Sequence, residues 1–479
     1  MTDSDKPARG VLLKARNGNV IGFDKTGLRM RLSDEVIADI GGRLNMTHAP
    51  TPVDPSVLGD VQAWDVRRSG DWYLFTARLP GEQGICNFRR RVEPLGDTAA
   101  DILANPSGGL FAILSVGGTR RATTSDEVLR YPYHVLTTGD DLGPAGASGT
   151  ETVTATPDLQ RLSEQSRDSL IADEIIARRH AEFRALPVIY ARSETDNSAS
   201  ITAFATGPAL ANFARTVSNL CAAAASLGVP PKVLAVGLDF TLEALDQDGT
   251  AWRNGIYDIM ARVTDIFADN GLRKPLFVST FDAGTHSLSD NPILRAQWEL
   301  AWNKAGHDHV FSAPGYMFAQ DEFGRPTPEA RQQIAEMDAF AIEAANTDQD
   351  WSCPVLLLAE REVDPKLIRC RGQALGAFVL DPDDLLNAGP SCGFRLEGCE
   401  NGAKITAVSV DADDPNDLLI RFDKAPKGDN LTLCYALGHP ASSDQMPANR
   451  GALRDDWHAT SRTGRILHRW ALPAALPVH

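Results

Sequence analysis

The sequence predicts a multidomain protein: a β-rich N-terminal domain, a central three-layer α/β domain and a C-terminal β-sandwich. Three observations predict it. At 479 residues the chain is too long for one hydrophobic core. Between Leu186 and Asn346, apolar strand-like runs alternate four times with helix-like stretches, which specifies a parallel sheet covered by helices on both faces. On either side of that region, short apolar runs are separated by turn residues, and the chain holds 39 Gly and 29 Pro, a texture of antiparallel β structure.

Residues 1–155 make up the expected N-terminal domain. Val11–Ala15, Asn19–Phe23, Gly27–Leu32, Trp72–Leu79 and Leu110–Val116 are short apolar runs bounded by Gly, Asn, Asp and Pro. Asn17-Gly18 is a tight-turn signal between the first two. The aromatics of Trp72–Leu79 serve either to stack on sugars or, more commonly, to fill a core. Arg89-Arg90-Arg91 is either a contact for an acidic partner or a solvated face. Gly143–Thr156 is small and polar and reads as a linker. Residues 156–186 then read as a linker helix, with Leu159, Leu162, Leu170, Ile171, Ile175, Ile176 and Phe183 on one stripe. Such a stripe either packs on its own domain or joins copies into a homo-oligomer.

Residues 187–350 carry the α/β pattern. Strands are expected at Pro187–Ala191, Val233–Leu238, Pro275–Phe281 and His309–Ser312, with helices at Gly207–Leu227, Trp252–Asn270, Pro292–Lys304 and Pro328–Asn346. Gly228 and Pro230 stop the first helix, Gly271 stops the second, and Pro328 opens the fourth. Ligands on such a sheet occupy the crevice at the carboxyl ends of the strands. The loops after Ala191, Leu238, Phe281 and Ser312 are therefore the ones to inspect.

Residues 351–479 return to β texture, with runs at Val355–Glu360, Leu367–Cys370, Ala377–Leu380, Ile405–Val410, Leu418–Phe422 and Leu431–Ala436 at sandwich-like spacing. The last stretches, NRGALRDDW and TGRILHRWALP, show little periodicity and are expected to wrap back over the body. Five of the seven cysteines (Cys353, Cys370, Cys392, Cys399 and Cys434) fall here without a C-x-x-C pair. That argues against a zinc ribbon or redox dithiol and for reduced, buried thiols. Cys392 and Cys399, flanking GFRLEG, are the two a disulfide would join.

Charge and hydropathy narrow the function. The net charge of −16 argues against a nucleic-acid partner, which calls for clustered Lys and Arg, and against an anionic membrane surface. No apolar run approaches the roughly 18 residues of a membrane span, and MTDSDKPARG lacks the apolar segment of a secretory signal. Synthesis in the cytoplasm follows as the expectation, with no membrane insertion. The acidic run Asp411–Asp414 lacks the pattern of a Ca²⁺ loop, so no metal and no cofactor is expected.

The crevice loops supply the candidate site. The first holds Arg192, Ser193 and Glu194, the second Asp239, the third Asp282 and His286, and the fourth Asp321 and Arg325. Acyl transfer needs a nucleophile, a base in reach, an orienting carboxylate and oxyanion donors. Ser193 and Asp321 suit the first and third roles, Gly207 or Asn212 the donor, and His286 is the candidate base. Arg325 cannot be a base because its guanidinium stays protonated. With Arg192, Asp239 and Asp282 it suits ligand binding.

These residues carry a resemblance. Leu186 to about Ala436 resembles the sialate O-acetylesterase-like branch of the SGNH hydrolases, whose sheet is flavodoxin-like. In that family a Gly-Gln-Ser block follows the first strand, Gly-Glu-Ser/Asn-Asp follows a middle strand, and Asp-x-x-His precedes the last helix. The corresponding stretches are ARSE (Ala191–Glu194), VGLDF (Val236–Phe240) and DEFGRPTPEA (Asp321–Ala330). Ser193, Gly237, Asp239 and Asp321 match; Leu238 stands for the Glu and Arg325 for the His. The resemblance implies a carbohydrate-binding heritage with degraded catalysis, Ser193 and Asp321 being vestigial. The whole chain, through NFARTVSNL, FSAPGYMFAQDEFGRPTPEA and RGALRDDW, is similar to head spike or fibre proteins of alphaproteobacterial prophages and gene transfer agents. That resemblance implies cell-surface polysaccharide and a capsid or spike-base protein as partners, and assembly into a phage-like particle. An active O-acetylesterase using Ser193 is the competing expectation.

Overall fold

A computed structural model of the chain describes residues 10–15, 18–24, 27–30, 50–93, 101–140, 142–146, 151–240, 248–281, 292–322, 324–437, 446–447 and 449–479. The described residues form several β-sheets and a smaller number of helices, with a mainly parallel sheet in the middle of the chain. No helix among the described residues is long and apolar enough to cross a membrane.

The chain divides into two compact units. The first comprises residues 1–80, 84–94 and 101–105 and is antiparallel. Gly10–Ala15, Gly18–Asp24 and Gly27–Met30 form one three-stranded sheet. Thr51–Pro52, Ala63–Ser69, Trp72–Ala77, Cys86–Arg91 and Ile102–Ala104 form a five-stranded sheet in that order. Strand alternation sends Phe75 and its cross-strand partner Phe88 to the buried face, ring centroids 5.9 Å apart. Trp72 points to the other face, where the Arg89 and Arg91 guanidiniums lie 5.0 and 4.5 Å from its ring. The aromatic run is thus split between core packing and arginine stacking.

The second unit holds the rest and contains an eight-stranded sheet. Its strands are β1 (Leu110–Gly117), β2 (Val135–Thr138), β3 (Ala145–Gly146), β4 (Leu159–Arg161), β5 (Val188–Thr195), β6 (Pro231–Asp239), β7 (Leu276–Phe281) and β8 (Asp308–Pro314). They lie in the order β4-β2-β5-β1-β6-β7-β8, with β3 beside β5, and every pairing is parallel except β4 on β2. The four strands expected between Pro187 and Ser312 are present with ends shifted by at most four residues. Two things differ. The central strand is β1, a segment expected within the N-terminal domain, so the sheet starts at Leu110 rather than at 187. Its crossover to β2 contains only a four-residue helix, α1 (Thr119–Ala122), too short to register as a strand/helix unit.

Six further α-helices follow among the described residues: α2 (Arg167–Ala181), α3 (Ile201–Phe204), α4 (Pro208–Leu227), α5 (Gly249–Asp269), α6 (Pro292–Trp302) and α7 (Pro328–Asn346). On one face of the sheet, Leu170, Ile171, Ile175 and Ile176 of α2 share a core with Ile113, Ile189, Ala339 and Ile342. The stripe expected of a linker helix is therefore spent inside this unit, although Phe183 beyond its end stays exposed. On the opposite face α4 packs on β5 and β1, and Phe213 stacks on Phe267 of α5 with a 6.4 Å centroid separation.

The expected linker is also strapped down. Asn212 and Asn219, two turns apart on α4, face residues 151–156. The Asn212 amide accepts from the Val153 N–H at 3.1 Å and donates to the Glu151 carbonyl at 2.7 Å. Asn219 repeats this with the Thr156 N–H at 3.0 Å and the Thr154 carbonyl at 2.8 Å. Two side-chain amides thus act as a β-partner for otherwise unpaired backbone.

After Trp351 three antiparallel sheets follow. Val355–Arg361, Leu367–Gln373, Asp417–Phe422 and Ile405–Val410 make the first, in that order. The terminal stretch does not simply wrap. Leu453–Thr460 and Ile466–Trp470 form a hairpin, and Ala474–Pro477 pairs with Thr432–Tyr435. Alternate polar residues of LRDDWHAT mask the period, since Asp455 is buried against Arg469 at 2.7 Å. All seven cysteines are free thiols. Leu356, Ile368, Ile420, Tyr435 and Trp470 pack in one core with Tyr316, Phe318 and Met337, so these sheets share a core with the end of β8 and with α7.

Asn212→Ala would leave the Val153 N–H and Glu151 carbonyl unpaired, at a cost of about 1–3 kcal/mol. Urea denaturation of the purified protein should show this as a lowered midpoint with an unchanged slope.

Candidate functional site

The carboxyl ends of β1, β6, β7 and β8 open into a cleft of about 440 Å³, lined among others by Thr119, Asp239, Thr280 and Asp321. This is where ligands sit on parallel sheets. Helix α2 begins on one side of it and α7 on another. Ser166 caps α2 by accepting from the Ser169 N–H, and Thr327 caps α7 by accepting from the Ala330 N–H. Pro328 in the first turn of α7 and Asp168 and Glu329 near the helix starts fit the preferences for those positions.

The fourth loop forms one wall. Asp321 and Arg325 close a tight turn, in which the Asp321 carboxylate accepts the Arg325 backbone N–H at 2.9 Å and its Nε–H at 2.8 Å. Gly324 in this turn has φ of +73°, a left-handed conformation that suits glycine. The pair is held in place but reachable, with the arginine 66% and the aspartate 33% exposed. Behind it, Tyr316 donates to the Ala471 carbonyl at 2.6 Å and touches the Tyr435 hydroxyl at 3.2 Å. The indole of Trp351 donates to the Ser312 carbonyl at 3.1 Å. The C-terminal sheets thereby anchor this loop.

Under the cleft lies a buried ionic layer. Arg121, 1% exposed, donates to Asp168 at 3.0 Å, and the Ser115 hydroxyl donates to the other oxygen of the same carboxylate. Arg167 donates to Asp338 at 2.7 Å and to the Thr280 hydroxyl at 2.6 Å. Burial pushes the Asp168 carboxyl above its usual range and draws the Arg121 guanidinium below its own, with Arg167 adding to the latter. Two glycines make room for this layer. A Cβ at Gly237 would come within 2.5 Å of the Arg121 guanidinium, and one at Gly117 within 2.5 Å of the Asp239 carbonyl.

The expected site residues fare differently. Asp239, Asp321 and Arg325 do meet in the cleft. Ser193 and Arg192 do not. Strand β5 runs on to Thr195, so both lie within the sheet and are wholly buried. Arg192 donates to Glu194 at 2.7 Å and to Asp140 at 2.9 Å, and Glu194 accepts from Thr216 of α4 at 2.7 Å. This internal pairing lets a charged sequence occupy a central strand, which is why ARSE read as a loop. Burial pushes the Glu194 carboxyl upward against the pull of Arg192. Ser193 Oγ has no hydrogen-bond partner among the described residues. Asp282 and His286 lie outside the described residues.

Sequence reasoning missed the turn after the central strand, Gly117-Gly118-Thr119-Arg120. It occupies the place after the first strand of the sheet, and Thr119, Arg120, Gln165 and Arg167 all line the cleft. A glycine pair ending an apolar run was the available signal. No histidine is among the described lining residues. His309 is buried on β8 with Nε2 3.1 Å from Ser279 Oγ. Burial, helped by Lys304 and His307, lowers its pKa to about 3.

No protein-family model and no curated protein matches the chain. Solved structures similar to it include a protein of Arabidopsis thaliana, at 12% identity over 49% of this chain and 98% of that one, with a TM-score of 0.33. NanS is similar at 12% identity over 51% of this chain and 99% of its own, with a TM-score of 0.34. The tail fiber protein gp63.1 from an E. coli phage matches at 12% identity, covering 68% of this chain and 34% of the fibre protein, with a TM-score of 0.25.

Two outcomes follow from this geometry. Arg121→Met strands the Asp168 carboxylate in the interior and should cost about 3–5 kcal/mol of stability, read by denaturant unfolding. His309 is neutral when folded and protonates near pH 6.5 when unfolded. Its contribution is therefore full above that pH and declines as pH falls toward 3, by at most about 1.4 kcal/mol per pH unit. His309→Gln should flatten the acid limb of a stability–pH curve.

Proposed function

We propose that the cleft binds carbohydrate without cleaving it, in a spike or fibre component of a phage-like particle, a gene transfer agent or prophage, that attaches to host cell-surface polysaccharide. The observation that carries the binding half is the Asp321–Arg325 pair, preformed in a cleft wall with no histidine among the described lining residues. A carboxylate beside a guanidinium offers an acceptor and donors at one place, as adjacent sugar hydroxyls require. The same arginine stands where the SGNH resemblance has its base, and a guanidinium cannot take a proton from a nucleophile. The buried Ser193 removes the other half of the expected chemistry. The particle half of the proposal rests on the sequence resemblance to spike and fibre proteins. In it, the first unit attaches to a capsid or spike-base protein, and the second, which holds the cleft, meets the glycan.

One observation favours a second reading, a carbohydrate O-acetylesterase. Thr119 lines the cleft directly after the central strand, where an exposed nucleophile would stand, so Thr119 rather than Ser193 is the hydroxyl to test.

Purified protein should bind capsular or lipopolysaccharide glycan on an array while releasing acetate from O-acetylated glycan at the uncatalysed rate. Arg325→Ala should weaken that binding about tenfold, the worth of one charge-assisted hydrogen bond. Acetate release abolished by Thr119→Val would establish the esterase instead. Ser193→Ala should change neither activity.

A further inference from the structure

We infer that the glycan taken by this cleft is electrically neutral, an inference that rests on the carbohydrate-binding reading and narrows its ligand to uncharged sugars. Arg120, Arg167, Arg325 and Arg331 all line the cleft, which at first sight marks a site for an acidic sugar. Their partners point the other way. Arg325 is 2.8 Å from Asp321, Arg167 is 2.7 Å from Asp338, and Arg331 is 3.4 Å from Glu127. Arg121, one layer down, is 3.0 Å from Asp168, and Asp239 lines the cleft as well.

Counting the charged lining residues, the ion-pair partners Asp338 and Glu127 and the Arg121–Asp168 pair below, the described residues supply five arginines and five carboxylates, 5 − 5 = 0. The sum is unchanged whether the buried Arg121–Asp168 pair holds its proton on one side or the other. Beyond the cleft, the chain carries 47 basic and 63 acidic residues, a net −16, so its long-range field repels a polyanion rather than gathering it. An acidic sugar would have to compete with carboxylates already in place and lose its hydration without a surplus positive charge to offset it.

A neutral sugar meets none of these costs. Nine lining side chains end in a hydroxyl or an amide, Thr119, Thr123, Ser125, Gln165 and Gln320 among them. A sugar hydroxyl both donates and accepts, so it can satisfy a hydroxyl and a guanidinium N–H in turn. Leu170, Phe318, Pro326 and Ile334 give the C–H face of a pyranose an apolar wall. The volume of about 440 Å³ lies within the roughly 300–1,000 Å³ of small-molecule clefts.

The test uses the full chain on an array of acidic oligosaccharides, each paired with its carboxyl-reduced counterpart of the same length and linkage. Hits are then titrated calorimetrically at low and high NaCl. The expected hits are neutral: carboxyl reduction raises affinity about tenfold or more, and salt changes it less than about twofold. Asp321→Asn, which unbalances the wall to one net positive charge, should weaken the neutral hits and admit acidic ones. Acidic members bound about tenfold more tightly than their reduced partners, with salt-sensitive affinity, would overturn the neutral assignment and leave the carbohydrate reading standing. Binding of no glycan of either kind would sink both.

Discussion

The buried Arg121–Asp168 pair, with Ser115 beneath it, is the constraint around which the central unit is organised. It joins the turn after β1 to the start of α2, and through the adjacent Arg167–Asp338 contact it reaches α7. Charges this deep are tolerated only when paired and hydrogen-bonded. The sheet therefore has to bring the ends of β1 and β7, α2 and α7 to one place. Gly117 and Gly237 follow from the same demand, since a side chain at either would collide with the layer or with the Asp239 carbonyl. The cleft floor is consequently a layer of paired charges, and the exposed side chains are supplied by the loops above it.

The fourth loop is held from the other direction. Tyr316 ties the end of β8 to Ala471, and Trp351 reaches back to Ser312 within that strand. The apolar cluster runs without a break from Phe318 and Met337 to Leu356, Ile420 and Trp470. The C-terminal sheets thus act as a buttress for the Asp321–Arg325 wall. A preformed, ion-paired wall suits recognition, because the side chains that meet a ligand are already ordered before it arrives. This turn pairs its one described carboxylate, Asp321, with a guanidinium that stays protonated.

Much of the α/β region was legible in the sequence because its cues are local. Val233–Leu238, Pro275–Phe281 and the four long helices stand out through apolar period, Pro at helix starts and Gly at helix ends, and the structure places them within a few residues of those bounds. The site was half legible. Asp239, Asp321 and Arg325 were reachable because they follow strands that the pattern marks well. Ser193 was misplaced because Arg192 and Glu194 look like loop residues until Asp140 and Thr216 are seen to neutralise and satisfy them inside the sheet. Thr119 was passed over for the converse reason: its strand is an ordinary apolar run followed by no recognisable helix.

By itself, then, the sequence determined the parallel α/β pattern and the antiparallel texture on either side. These are matters of composition and of spacing along the chain. Only the tertiary structure decided which strand is central, which hydroxyl reaches the cleft, and how each charge is compensated. Those depend on partners more than 40 residues away, such as Arg121 with Asp168 and Arg167 with Asp338. A charged side chain carries no local mark of whether it faces water or a distant counter-charge; burial and pairing settle that together, and both arise only when the chain is folded.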